Sequence, residues 1–187
     1  MFFKIPIVLL FFFKVTRLNQ KYKLLFYSKL EIMKTTDITP KTSHRKTVDN
    51  LDLQKYMGEW YEVARYENFF ERGLVDVRAR YTLLPDKTVK VENRGTNVFG
   101  KIKKMFGTAF QPTPSRPGHL RVSFFWWFAS DYNVIMLAPD YSYSVVSGKD
   151  GKYLWILSRT KTMDGDTLDT IFKFLRTRGY NPSKLVF

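Results

Sequence analysis

From Leu51 onward the chain is cut into short runs of alternating or aromatic-rich residues by turn signals, and this spacing leaves few folds open to it. Eight such runs stand at about 58–66, 75–83, 88–96, 103–111, 119–125, 132–137, 143–147 and 153–159. Pro85-Asp86-Lys87, the Pro- and Gly-containing stretch 112–118, Pro139-Asp140 and Lys149-Asp150-Gly151 mark four of the reversals, because these residues fix φ or tolerate left-handed geometry. Connections this short make sequence neighbours antiparallel neighbours in space. Eight strands are also the number at which a sheet closes with room for a small ligand.

After Arg159 the apolar period changes from 2 to 3.6. Leu168, Ile171, Phe172 and Leu175 fall on one helical face, Asp164, Asp166 and Asp169 gather at its start, and Lys173, Arg176 and Arg178 at its end, as the helix dipole prefers. Gly179 supplies the stop. The fold expected is therefore all-β, an eight-stranded antiparallel up-and-down barrel with one C-terminal α-helix packed outside, followed by a short extended tail through Leu185, Val186 and Phe187.

Residues 51–187 form the single domain; residues 1–50 are an N-terminal extension. The opening MFFKIPIVLLFFF is apolar but short for a membrane span, is interrupted by Lys4 and Pro6, and is followed by Lys14, Arg17, Lys21 and Lys23 with no small-residue cleavage site. It reads as a degenerate signal or anchor. Equally, Met33 opens a polar, start-like stretch, so that residues 1–32 are an upstream extension absent from the working protein. Residues 34–50 are polar, rich in Thr and Lys, and read as a loose arm.

The net charge of +14 includes +5 from the first 32 residues. A basic surface draws polyanions without selecting one, so it admits anionic lipid as readily as nucleic acid, and it also serves solubility alone. With no cysteine, a disulfide, a thiolate nucleophile, Cys-ligated zinc and a Cys-attached lipid are all excluded.

The first strand opens Tyr56-Met57-Gly58-Glu59-Trp60-Tyr61-Glu62-Val63-Ala64-Arg65. Its Gly-x-Trp resembles the first-strand signature of the lipocalin family, and GEWYEVARY is similar to the bacterial Blc-type lipocalins. Pro139-Asp140-Tyr141 resembles the family's Thr-Asp-Tyr turn between the sixth and seventh strands, with Pro139 replacing the Thr. Arg159 follows the eighth strand, where the family has an Arg, and the segment from Tyr153 to Thr160 is also Blc-like. The resemblance covers 51–187.

In an eight-strand meander the start of strand one, the turn after strand six and the end of strand eight share one end of the barrel. Gly58, Trp60, Asp140, Tyr141 and Arg159 are thus expected to meet there as structural residues, the guanidinium lying over the indole. Strand alternation then turns Tyr153, Trp155 and Leu157 inward with Arg159, and Glu62, Ala64 and Tyr66 inward with Trp60. Glu62 needs a buried partner, for which another side chain or water is favoured over ligand. On the sixth strand, either Tyr132, Val134 and Met136 or Asn133, Ile135 and Leu137 face the interior. At the opposite end, Phe69 and Phe70 in one loop and Phe125, Trp126 and Trp127 in another either cap the core or border a lipid entrance and touch a membrane surface, with Arg72 and Lys101 to Lys104 beside them.

His44 and His119 stand without metal-ligand spacing. Met163-Asp164-Gly165-Asp166 has Leu175 where a calcium loop needs its Glu, so no metal site is expected. Ser-His-Asp, P-loop and dinucleotide fingerprints are missing, and Glu62 and Glu67 fall on opposite faces. The expected function is binding without chemistry and without a cofactor, by a monomer or weak dimer. As the resemblance implies, the ligand is a fatty acid, a lysophospholipid or a similar small hydrophobic molecule. A lipid- or isoprenoid-modifying enzyme on the same barrel is the alternative, and nucleic acid is not an expected partner. The resemblance also implies the cell envelope, at the outer membrane or in the periplasm; a start at Met33 implies the cytoplasm.

Overall fold

The computed structural model describes residues 46–125 and 128–187; the apolar opening of the chain, Met33, His44, Trp126 and Trp127 lie outside the described residues. A short helix α1 (Leu53–Tyr56) leads into strands β1 (Gly58–Tyr66), β2 (Val75–Leu83), β3 (Val89–Thr96), β4 (Ile102–Phe110), β5 (His119–Phe125), β6 (Phe128–Leu137), β7 (Tyr143–Ser147) and β8 (Leu154–Ser158). Helix α2 (Gly165–Thr177), a 3-10 turn (Pro182–Lys184) and a two-residue strand β9 (Leu185–Val186) complete the order. Each strand from β2 to β7 pairs with the next, β8 pairs with β1, and β1 closes on β2. The expected closed antiparallel eight-stranded barrel is what forms.

Strand β6 begins at Phe128 rather than at 132, because Ser130 and Asp131 already register against Val122 and Arg121. The Arg121 side chain fixes that extension, donating to the Ala129 carbonyl and lying 3.8 Å from the Asp131 carboxylate. The tail adds β9 to the sheet, where Val186 and Leu185 pair with Arg65 and Tyr66. Nor are residues 46–50 loose: the Val48 amide donates to the Val134 carbonyl at 2.9 Å, and its side chain packs against the interior cluster.

Helix α2 starts where Asp164 accepts from the Thr167 amide at 2.8 Å, and it ends before Gly179, whose φ of 80° suits glycine. Its apolar stripe, with Ile171 and Leu175 fully buried, seals an outer cluster that includes Ala64, Tyr66, Ile135, Val145 and Ile156. A second cluster fills the barrel and contains Trp60, Tyr81, Val91, Leu120, Val134 and Leu157.

Two irregularities decide which residues face which cluster. In the β1–β8 pairing, Glu62 opposes Leu157 and Ala64 opposes Ile156, so Val63 is the extra residue of a bulge. Beyond it the alternation inverts. Ala64 and Tyr66, expected to line the interior, instead pack outside beneath α2, and Arg65 turns in. On β6, Val134 opposes Val146 and Met136 opposes Val145, leaving Ile135 extra. The inward residues are therefore Tyr132, Val134 and Leu137, two from the first expected set and one from the second.

Candidate functional site

At one end the barrel is sealed. Trp60 is fully buried, and the Arg159 guanidinium lies 3.7 Å from the centroid of its ring. Arg159 Nη1 and Nη2 donate to the carbonyls of Glu59 and Lys55, each at 2.9 Å, while the indole N–H donates to the Tyr56 carbonyl at 2.9 Å. Gly58 sits beside the guanidinium at φ 96°, and a Cβ there would stand 3.3 Å from Arg159 Nη1. Glycine meets both the backbone and the space requirement. Asp140 accepts from the amide and hydroxyl of Ser142, and the Tyr141 hydroxyl accepts from the Asp52 amide at 2.9 Å, tying the β6–β7 turn to α1.

Above the indole three phenols form a floor. The Tyr56 hydroxyl lies 2.8 Å from that of Tyr132 and 2.9 Å from Ser144 Oγ, and Tyr81 reaches Tyr132 at 3.1 Å. Burial pushes the Tyr56 phenol up to about 12 and raises Tyr81 and Tyr132 as well. In the folded state these groups hold their protons more tightly than the unfolded chain does, so the stability they contribute is complete below about pH 10. It is lost as pH rises through the folded values. Urea midpoints measured against pH should therefore be level from neutrality to about pH 9.5 and fall steeply above pH 10, less so in a Tyr132→Phe variant.

Towards the other end the bulge brings charge inside. Arg65 Nη1 donates to Glu62 Oε1 at 2.5 Å, and Nη2 donates to the carbonyls of Glu71 at 2.9 Å and Leu74 at 3.3 Å. Glu71 Oε2 accepts from the Trp155 indole at 2.9 Å and from the Asn68 amide at 2.5 Å. Glu62 thus has its side-chain partner. Leu157 and Trp155 belong to the interior cluster, and Tyr153 stacks on Trp155 at the rim with centroids 5.9 Å apart.

Register fixes the inward side independently of exposure. Met105 opposes Asn93, which opposes Ala79; Ser130 opposes Val122, which opposes Ala109. Ala79 and Ala109 belong to the interior, so all of these face in. Yet Val122, Phe124 and Trp155 are only half-buried, and Met105 and Ser130 are exposed. Inward side chains that still meet solvent mean that the upper barrel is not packed shut.

Phe69, Phe70 and Phe125 do not fold inward as a cap: all three are exposed at the mouth. Sequence reasoning passed over Arg65, Asn68 and Glu71, which alternation could not place without knowledge of the bulge. It also passed over Val98 and Phe99, whose signal was available as two apolar residues inside a hairpin turn.

Comparison with known proteins agrees with this architecture. The model of the lipocalin-like domain matches residues 51–187. Outer membrane lipoprotein Blc of Vibrio cholerae is 40% identical over 144 residues, spanning 76% of this chain and 84% of the relative. Temperature-induced lipocalin-1 of Arabidopsis thaliana is 36% identical over 149 residues, 75% of this chain and 80% of the relative. Among solved structures, the cockroach allergen Per a 4 matches with a TM-score of 0.61 at 20% identity, covering 80% of this chain and 93% of that one, a likeness of fold alone.

Proposed function

Because this chain belongs to the lipocalin family, we propose that it carries one small hydrophobic molecule in its barrel, a fatty acid or lysophospholipid, bound without chemical change. The supporting observation is the set of inward-facing side chains, Val122, Phe124 and Trp155 among them, that remain partly solvent-accessible. An acyl chain lying there would cover them, and each CH₂ it withdraws from water contributes about 0.8 kcal/mol before ordering costs.

The interior offers both kinds of surface that such an amphiphile needs. It holds the aliphatic side chains Leu120, Val134, Val146 and Leu157, and a charged network in which Glu62 and Glu71 meet Arg65, with Glu71 also bonded to Trp155. A methyl terminus would rest above the tyrosine floor and a polar head near the mouth, with Tyr153 and Trp155 flanking the chain. A carrier of this kind collects and delivers its ligand at lipid surfaces, so contact between mouth and membrane belongs to the same reading. Kinship with the outer membrane lipoproteins Blc supports work at the cell envelope.

Titration with a fluorescent fatty acid, followed through quenching of the tryptophans, should give saturable binding. Trp155→Ala should weaken it about tenfold, the scale of one buried aromatic wall, with the circular dichroism spectrum unchanged. Absence of saturation by a folded protein would reject the carrier reading, and mass spectrometry of the released ligand should find it unaltered.

A further inference from the structure

We propose that the barrel docks mouth-first on an anionic phospholipid bilayer, inserting apolar side chains from three hairpin ends, Phe69 and Phe70, Val98 and Phe99, and Phe125 and Phe128. This deepens the carrier reading and rests on it for its purpose, although docking itself is measurable without any ligand. The structural basis is an inversion of polarity at the rim. In the β1–β2 loop the polar Asn68 is buried, its Oδ1 accepting from the Glu71 amide at 3.0 Å, and Glu71 is held by Asn68, Arg65 and Trp155. Between those anchors Phe69 and Phe70 are 82% and 63% exposed, packed only edge-to-face on each other among the ring contacts described.

The β3–β4 turn repeats the pattern. Asn97 Oδ1 accepts from the amides of Phe99 at 3.0 Å and Lys101 at 2.9 Å, and Gly100, at φ 76°, donates to the Asn97 carbonyl. The turn's backbone needs are met locally, and its two apolar side chains, Val98 at 77% and Phe99 at 83% exposure, point to solvent. Phe125 and Phe128, which pair across the end of the β5–β6 hairpin, are 49% and 61% exposed. In the meander these three hairpin ends lie together, opposite Trp60 and Arg159. Apolar rims held outward by rigid, hydrogen-bonded turns mark an interaction surface rather than incomplete packing.

Charge selects the occupant. Around the rim Arg72, Lys101, Lys103, Lys149 and Lys152 are set against Glu67, Asp76 and Asp150, while Glu71 is turned onto Arg65 and Trp155, an excess of base that favours anionic headgroups. The β7–β8 loop, Gly148 to Lys152, is polar, so it would stay in the headgroup layer while the exposed apolar side chains of the other three hairpin ends enter the acyl boundary. The barrel would then stand tilted, its opening against the lipid.

The cysteine-free chain allows a site-specific test with full-length protein. Val98→Cys at the rim and Ser115→Cys in the β4–β5 loop at the sealed end would each carry one environment-sensitive nitrobenzoxadiazole label. With vesicles of about seven parts phosphatidylcholine to three of phosphatidylglycerol, position 98 should blue-shift and brighten several-fold. Position 115 should not change. Pure phosphatidylcholine should give a much weaker response, and adding Phe69→Ser, Phe70→Ser and Phe99→Ser together should weaken vesicle binding at least about tenfold. An unchanged label at 98, an equal response at 115, or the same shift produced by self-association without vesicles would overturn the proposal. Failure of the fatty-acid titration alone would leave docking standing and remove only the carrier reading.

Discussion

Replacing Trp60 by alanine is expected to lower the unfolding free energy by about 3–5 kcal/mol, the cost of deleting a fully buried aromatic that its surroundings cannot fill. The site has little room to collapse, because the indole is held between the Arg159 guanidinium on one face and Tyr56, whose ring centroid is 5.0 Å away. Its removal also takes the donor from the Tyr56 carbonyl and leaves the cation without an aromatic partner, a contact worth about 0.5–2 kcal/mol in its own right. Urea-induced unfolding should show the loss as a lower midpoint at unchanged slope. Trp60→Phe, which keeps a ring under the guanidinium but not the N–H, should recover a large part of it. A loss below about 1 kcal/mol would mean that this end of the barrel is not sealed in the way described.

The second large effect is expected at Arg65. Its guanidinium and the Glu62 carboxylate are 7% and 5% exposed, so Arg65→Ala would strip a buried anion of this cation, take the guanidinium donor from the Leu74 carbonyl and leave the Glu71 carbonyl with the Leu74 amide alone. Breaking a buried pair from one side costs about 3–5 kcal/mol, whereas replacing both members by shapes that need no charge is often near neutral. Arg65→Met combined with Glu62→Gln should therefore be clearly more stable than Arg65→Met alone. Chemical unfolding of the two single variants and the double variant supplies the coupling energy directly. Additive single effects would show that the two charges do not depend on each other.

Arg65 also shows where reading the sequence stops. Strand limits other than the start of β6, the closing meander and the capped α2 were legible because each follows from a local period or a local cap: Asp164 and Gly179 bracket the helix in the way their chemistry dictates. The sealing contact between Trp60 and Arg159 was legible because topology alone brings the two chain segments together. The bulges at Val63 and Ile135 were not, since neither carries the glycine that often marks one and both residues suit a regular strand. A single extra residue reversed the faces of Ala64, Arg65 and Tyr66, which moved two expected wall residues under α2 and put a charged network in the interior.

The tail was half legible. Leu185 and Val186 read as extended, but pairing with the far half of β1 depends on α2 first returning the chain to that edge. At the rim the aromatic loops stood out, yet sequence could not say whether Phe69 and Phe70 turn in or out. The answer lay in Asn68 and Glu71, whose hydrogen bonds occupy the inside of that loop and leave the rings no place there.

The most direct test of the carrier account is a crystal structure of the protein grown with a fatty acid brominated at its methyl end, with the bromine located by anomalous scattering. The account predicts one strong peak inside the barrel above the Tyr56, Tyr81 and Tyr132 hydroxyls, within van der Waals reach of Val134, Val146 or Leu157. A peak found only on the outer surface, or none inside a barrel shown intact by the same data, would contradict it.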